Sequence, residues 1–313
     1  MTTRKIQLVA GSTYTISMPK SWIGRNRLKA GDEVSISESS DGSVIISPGT
    51  GPQERLSEIT ISADERGEGV GEALFAPYYL GVEGIKVTSK EPMSRETRAA
   101  IRGAVARMSG TEISFEDDRT MEIRVLLDRS KIDFRQVLYR MGLIIDMSMA
   151  NACGRNEAEE SEMNEREADR LYHLAMKVLS MSLADSVVLK SSGITNLSFV
   201  PQYVLIAKKL ENIGDVLVTL SPILRKSRRG ELANSRKALE FLRGEAKRSM
   251  SHASKMPHGA FAKAGAAEVE EVNGMISACG DPRVRECLND ILRLIIDIEE
   301  SVVDLSFFRK LSG

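Results

Sequence analysis

Residues Ala207–Ser221 read AKKLENIGDVLVTLS, and their spacing sets the reading of everything around them. Leu210, Ile213, Val216, Leu217 and Leu220 recur every three or four residues, the period of an amphipathic helix. Glu211 and Asp215 lie four apart, so one helical turn carries both carboxylates on the same side. Like charges at that spacing cost about 0.2–0.5 kcal/mol unless a cation sits between them. Asp215 has no cation three or four positions away. Gly214, between the acids, costs about 1 kcal/mol relative to Ala in a helix interior, a loss tolerated where something must approach closely. Two readings follow from the spacing: a metal-bearing helix face, or a solvated acidic turn in which Lys208 pairs with Glu211.

The preceding helical segment repeats the pattern. Glu165 and Asp169 are again four apart, with His173 one further turn along. If the two helices are antiparallel neighbours, four carboxylates face one ion or cluster. Such an oxygen-rich set suits Mg, Mn, Ca or ferric iron better than a structural zinc, which prefers Cys and His. A ferritin-like di-iron centre needs Glu-x-x-His on two helices, and none of the three histidines has a Glu three before it. His173 reads more readily as a satisfied histidine than as a ligand. Near the C-terminus, IIDIEESVVDLSF keeps Glu300 and Asp304 four apart, after Asp297. FAKAGAAEVEEVNGMIS holds no E-x-x-x-D, so Glu268, Glu270 and Glu271 read as a solvated acidic face.

Strand signals vanish from Asp133 onward. Helical periodicity supports segments at 133–152, 157–190, 198–228, 231–256, 259–279 and 282–311. Breaks at Gly154, Ser191-Ser192-Gly193, Gly230, Pro257 and Gly280-Asp281-Pro282 separate them. Asp281-Pro282 is a helix start, with Asp as N-cap and Pro at the first position. Short connections between six helices predict antiparallel neighbours in a bundle, arranged as two repeats of three. Upstream, residues 51–132 read as a small α+β segment. It has strands at 56–62, 84–89, 111–117 and 120–127 and helices at 69–80 and 94–108, the latter with Ser94 as N-cap. Gly67, Gly69 and Gly71 do not have dinucleotide-fingerprint spacing and read as a loop and helix start.

Residues 4–47 alternate at period two: Ile6 and Leu8, then Tyr14, Ile16 and Met18, then Val34 and Ile36, then Val44 and Ile46. Asp41-Gly42 is a hairpin turn, Pro19–Gly24 a single helical turn, and Gly49-Thr50-Gly51-Pro52 a linker. Four strands in so short a segment make a poor core, which predicts an intertwined homodimer. Residues 1–30 hold Arg4, Lys5, Lys20, Arg25, Arg27 and Lys29 and no acid, the electrostatic footprint of DNA binding.

The whole chain sets the outer bounds. Its 313 residues suffice for about two domains, and a net charge of −1 confines any nucleic-acid surface to a local patch. Three cysteines without CxxC spacing read as reduced core thiols. Neither a secretory apolar region nor a membrane-length apolar run occurs, so the chain is expected to be cytoplasmic, with no membrane insertion. Fourteen methionines against 5% aromatics suit a helical core. No nucleophile–base pair or phosphate-cradling loop is visible, so the protein is not expected to be an enzyme.

Two stretches carry family resemblances. STYTISMPKSWIGRNRLKAGDEVSISESSDGSVIISP resembles the AbrB/SpoVT swapped-hairpin DNA-binding family, with Pro19-Lys20, Leu28 and Gly31-Asp32 in the expected order. The resemblance implies dimerisation over residues 1–50 and DNA contact by Arg4, Lys5, Lys20, Arg25 and Arg27. LIAKKLENIGDVLVTLS is similar to the PhoU signature, and the Glu165–Asp169 segment to its companion E-x-x-x-D motif. That resemblance covers residues 133–313. It implies a six-helix, two-repeat bundle holding an iron, zinc or other divalent metal ion or cluster through Glu165, Asp169, Glu211 and Asp215, with Glu300 and Asp304 in the second repeat. It also implies a role in phosphate-uptake regulation, usually beside a phosphate-transporter ATPase and a sensor kinase. The departure from E-x-x-x-D in the second repeat puts a second cluster in doubt. Together the parts form a multidomain chain, with an all-β swapped-hairpin head, an α+β segment and a mainly α body, which resembles archaeal PhoU-family regulators. The expected role is a DNA-binding transcriptional regulator. Its rival is a signalling adaptor that contacts a phosphate transporter or kinase without touching DNA.

Overall fold

A computed structural model describes residues 3–38, 42–48, 58–128, 131–154, 158–194, 196–255 and 260–312. Asp41, the linker at 49–52 and the break at Pro257 lie outside the described residues. The chain divides into two compact units, Met1–Arg55 and Leu56–Gly313.

In the first unit, β1 (Gln7–Val9) and β2 (Thr13–Thr15) form an antiparallel pair, with Val9 opposite Thr13. Ala10 and Gly11 turn the chain at φ of 53° and 75°. A short helix, α1 (Lys20–Arg25), is followed by a second antiparallel pair, β3 (Val34–Glu38) and β4 (Val44–Pro48). The Leu28–Asp32 run has a local reason. The Asp32 carboxylate accepts from the Lys29 backbone N–H at 2.7 Å, while Gly31 takes φ of 96°, which a side chain would resist. No described residue of this unit is buried: Ile6, Tyr14 and Ile36 are 70%, 74% and 68% exposed.

The second unit begins with a four-stranded sheet of β5 (Glu58–Ser62), β6 (Gly84–Thr88), β7 (Thr111–Glu116) and β8 (Thr120–Val125), in the order β5-β6-β8-β7. β5 and β6 are parallel, and the other pairs antiparallel. Between β5 and β6 run α2 (Ala63–Arg66), a short 3-10 turn, α3 (Val70–Ala73) and α4 (Phe75–Tyr79). The single helix predicted over 69–80 is thus broken at Leu74. Pro77 explains the break, since its ring opposes the carbonyl of Ala73, the last residue of α3. α5 (Arg95–Arg107) starts at Ser94, whose hydroxyl accepts from the Thr97 N–H at 3.1 Å. Val70, Leu74, Tyr78, Ile85, Ile101 and Met121 form the core of this part.

The rest is helical: α6 (Phe134–Asn151), α7 (Ala158–Ser182), α8 (Ser186–Ser191), α9 (Val200–Arg225), α10 (Arg229–Lys255), α11 (Ala266–Ser277) and α12 (Pro282–Ser312). The segment expected at 157–190 is two helices, because the Asp185 carboxylate caps a new start by accepting from the Val187 and Val188 N–H groups. α11 starts later than the expected 259, at Ala266, where Glu268 folds back to accept from the Gly265 N–H. Gly230 lies inside α10, and the chain turns just before it at 226–228. α9 packs on α6, α7 and α12, and α10 on α6 and α12, around one continuous apolar core.

Gly214 is buried on α9, and the group over it is Ile145 of α6. A methyl there would meet Ile145 Cδ1 at 3.6 Å, an ordinary contact, so packing does not demand glycine. Gly214→Ala is expected to raise stability by about 0.5–1 kcal/mol, read as a higher denaturation midpoint in urea. Loss of stability would show that something not in this packing needs the space.

Candidate functional site

α7 and α9 pack side by side, and this brings the four first-repeat acids within electrostatic reach of one another. Burial raises the Glu165 carboxyl above its usual range, and Asp169 and Asp215 raise it further. Burial also lifts Glu211, with Lys208 opposing and Asp215 adding, and lifts Asp215, with Lys208 opposing and Asp169 adding. Cations already occupy part of this field. Lys208 Nζ donates to Glu211 Oε2 at 2.6 Å, as the solvated-turn reading expects, and lies 5.1 Å from the centre of the Tyr172 ring. Arg107, from the end of α5, reaches across with Nη1 3.7 Å from Asp169 Oδ2 while Nη2 holds Glu72 at 2.8 Å.

His173 is buried and clamped by the α+β part. Its ring stacks on Phe75 with centroids 3.8 Å apart, and Nδ1 is 2.5 Å from the Tyr79 hydroxyl. Burial pushes the Tyr79 phenol well above its ordinary range, so Tyr79 keeps its hydroxyl proton beside Nδ1. Nε2 lies 3.1 Å from Asp169 Oδ1 but off the line of a hydrogen bond.

The second-repeat acids stand apart and are matched singly. Glu300 pairs with Lys263 at 3.2 Å, Asp304 accepts from Gln202 Nε2 at 3.0 Å, and Asp297 takes Lys209. Glu299 was not singled out by spacing, yet it is the buried acid of this helix. It accepts from Arg248 at 2.6 Å and from the Ala264 N–H at 3.0 Å. Among the described residues, no three His, Cys, Asp or Glu side chains converge closely enough to hold a metal ion. The first-repeat acids therefore have the donor chemistry for a hard cation but not the convergence.

Arg107, His173 and Lys177 complete the junction between α7 and the α+β part. Asp169, His173 and Lys177 recur at four-residue spacing on α7, a polar stripe among apolar neighbours that was legible, but its partners 94 to 99 residues upstream were not. In the first unit, Arg4, Lys5, Lys20, Arg25 and Arg27 are all exposed, with Lys20 and Arg25 at the two ends of α1.

Residues 7–54 match the family described as antidote-toxin recognition MazE, bacterial antitoxin. The match covers the N-terminal strand pairs and stops short of the second unit. A search of characterised proteins and one of solved structures each return no match. No helix among the described residues is long and apolar enough to cross a membrane.

The raised carboxyls set a pH dependence. A folded-state pKa above the unfolded value means that the native chain binds more protons between the two. Stability from these groups is therefore greatest in acid and falls as pH rises from about 4 through the raised values. Glu165→Gln and Asp215→Asn are expected to flatten that fall and to raise the midpoint of thermal unfolding at pH 7. Variants that melt lower at pH 7 would mean that the acids are held by a cation.

Proposed function

We propose that the chain is a cytoplasmic, dimeric transcriptional regulator whose MazE/AbrB-like N-terminal unit binds DNA and whose helical body is its input module. The observation that carries this reading is in the first unit: exposed β-branched and aromatic side chains, no buried residue among those described, and a cation-only stretch through Lys29. A segment that buries nothing of its own needs a second copy, and doubling it doubles the basic patch. The proposed contacts are Arg4, Lys5, Lys20, Arg25 and Arg27. The proposed role is regulatory rather than enzymatic.

The body is proposed to be PhoU-like. Support comes from the LENIGD stretch on α9, its E-x-x-x-D companion on α7 and the juxtaposition of the two pairs. In this reading Glu165, Asp169, Glu211 and Asp215 are the proposed metal ligands. As the side chains stand, Lys208 and Arg107 supply the positive charge. Iron, zinc or another divalent ion would compete with Lys208 for Glu211 and with Arg107 for Asp169, and Glu300 and Asp304 offer it separate, already partnered acids. A phosphate-transporter ATPase or sensor kinase remains the proposed partner under the adaptor alternative, in which the head only dimerises.

A gel shift on the chain's own upstream DNA over a salt series tests the first claim. Lys20→Ala/Arg25→Ala/Arg27→Ala is expected to weaken binding and to lower the slope of log affinity against log salt by about 2–3. An unchanged slope would sink DNA recognition by these residues and favour the adaptor. Elemental analysis of chain purified without chelator tests the second. The metal reading expects bound metal in wild type and its loss in Glu211→Gln/Asp215→Asn, whereas metal-free wild type would leave Lys208 and Arg107 as the resident cations.

A further inference from the structure

Lys177 lies on α7 at 2% exposure. Its Nζ donates to the Tyr78 carbonyl oxygen at 2.8 Å and sits 4.3 Å from the centre of the Tyr78 ring. Both partners are neutral. Among the described residues no carboxylate pairs with it, and burial alone lowers its ammonium to about 8. At neutral pH most of the population is still charged. Buried charges in proteins are otherwise paired, so the missing partner is an observation that asks for a counter-ion.

Beside Lys177 is a cavity of about 220 Å³, between the ends of β6 and β8 and the α7 helix. Val82, Val125, Leu127 and Met181 give it apolar walls, while the exposed residues Leu126 and Asp128 stand in its lining toward solvent. Gly81, at φ of 80°, lets Met181 close one side, since a Cβ there would come within 2.7 Å of the Met181 methyl. The cavity therefore offers a buried lysine in its lining whose ammonium has one neutral acceptor, partly apolar walls and a way out to water. Glu83, exposed in the same lining, and Asp128, which pairs with Lys131 at 3.2 Å, repel a multiply charged anion such as phosphate more strongly than a singly charged one.

We infer that this cavity binds a small monocarboxylic acid with a short aliphatic body, its carboxylate on Lys177 and its alkyl group against Val82, Val125 and Leu127. The site joins the α+β part to α7 one and two turns from His173 and Asp169, so occupancy would brace that junction. It does not rest on metal binding or on DNA binding.

Ligand-observed NMR titration of the full chain at pH 7 tests this with isovalerate and with isovaleramide, its neutral isostere. Isovalerate is expected to bind at least about tenfold more tightly than the amide, a charge-assisted contact's share of affinity. Lys177→Met, which leaves an apolar chain of similar length, is expected to lose at least about tenfold for isovalerate and nothing for the amide. Leu126→Trp narrows the opening from an exposed position and is expected to weaken isovalerate binding with the thermal midpoint unchanged. The assignment is overturned by no binding of isovalerate to wild type, by equal affinity for acid and amide, or by either variant binding isovalerate as wild type does.

Discussion

The burial of α9 is the constraint on which the second unit depends. Tyr203, Ile206, Leu210, Ile213, Leu217 and Leu220 are buried along it. A helix apolar on so much of its circumference needs neighbours on several sides, and α6, α7 and α12 supply them. Only the strip between α7 and α9 that stays near the surface is left for Glu211 and Asp215. Their raised carboxyls follow from that position: Glu211 is partly buried, Asp215 lies toward the surface, and both face the α7 acids across a helix pair that packing will not let separate.

The α+β part closes on the same α7 helix by polar rather than greasy contacts. Arg107 is shared between Glu72 and Asp169, Phe75 and Tyr79 hold His173, and Tyr78 takes Lys177. This junction costs more to assemble than an apolar one of equal area, since each buried donor must find its acceptor. The two units thus differ in what completes them. The second is filled by its own side chains, while the first exposes the apolar residues that a core would use.

Local signals in the sequence were strong where the cause was local. Ser94 and Asp281 mark helix starts because their carboxylate or hydroxyl oxygens accept from N–H groups two or three residues on. The Lys29–Asp32 turn is readable because Gly31 and Asp32 act within four residues. The split of 69–80 was equally local, and Pro77 was its sign. The acid pairs were visible as four-residue spacing, and α7–α9 packing brings them together. What spacing could not show is which cation answers each acid. Arg107 lies 62 positions from Asp169, and Lys177 meets a carbonyl 99 positions away. Gly214 illustrates the converse, since a feature that looked made for close approach is covered only by the tip of Ile145.

The central claim is the proposed one: the MazE-like first unit, whose described apolar residues stay exposed, needs a second copy to cover them, so the protein is dimeric through that unit. Sedimentation equilibrium of the full chain, beside Ile36→Glu, measures this directly. The account predicts twice the chain mass for wild type at micromolar concentration and a shift toward single-chain mass for Ile36→Glu, with the helical signal in circular dichroism retained. A wild-type monomer whose β1–β4 amides are nevertheless protected from hydrogen exchange would contradict it.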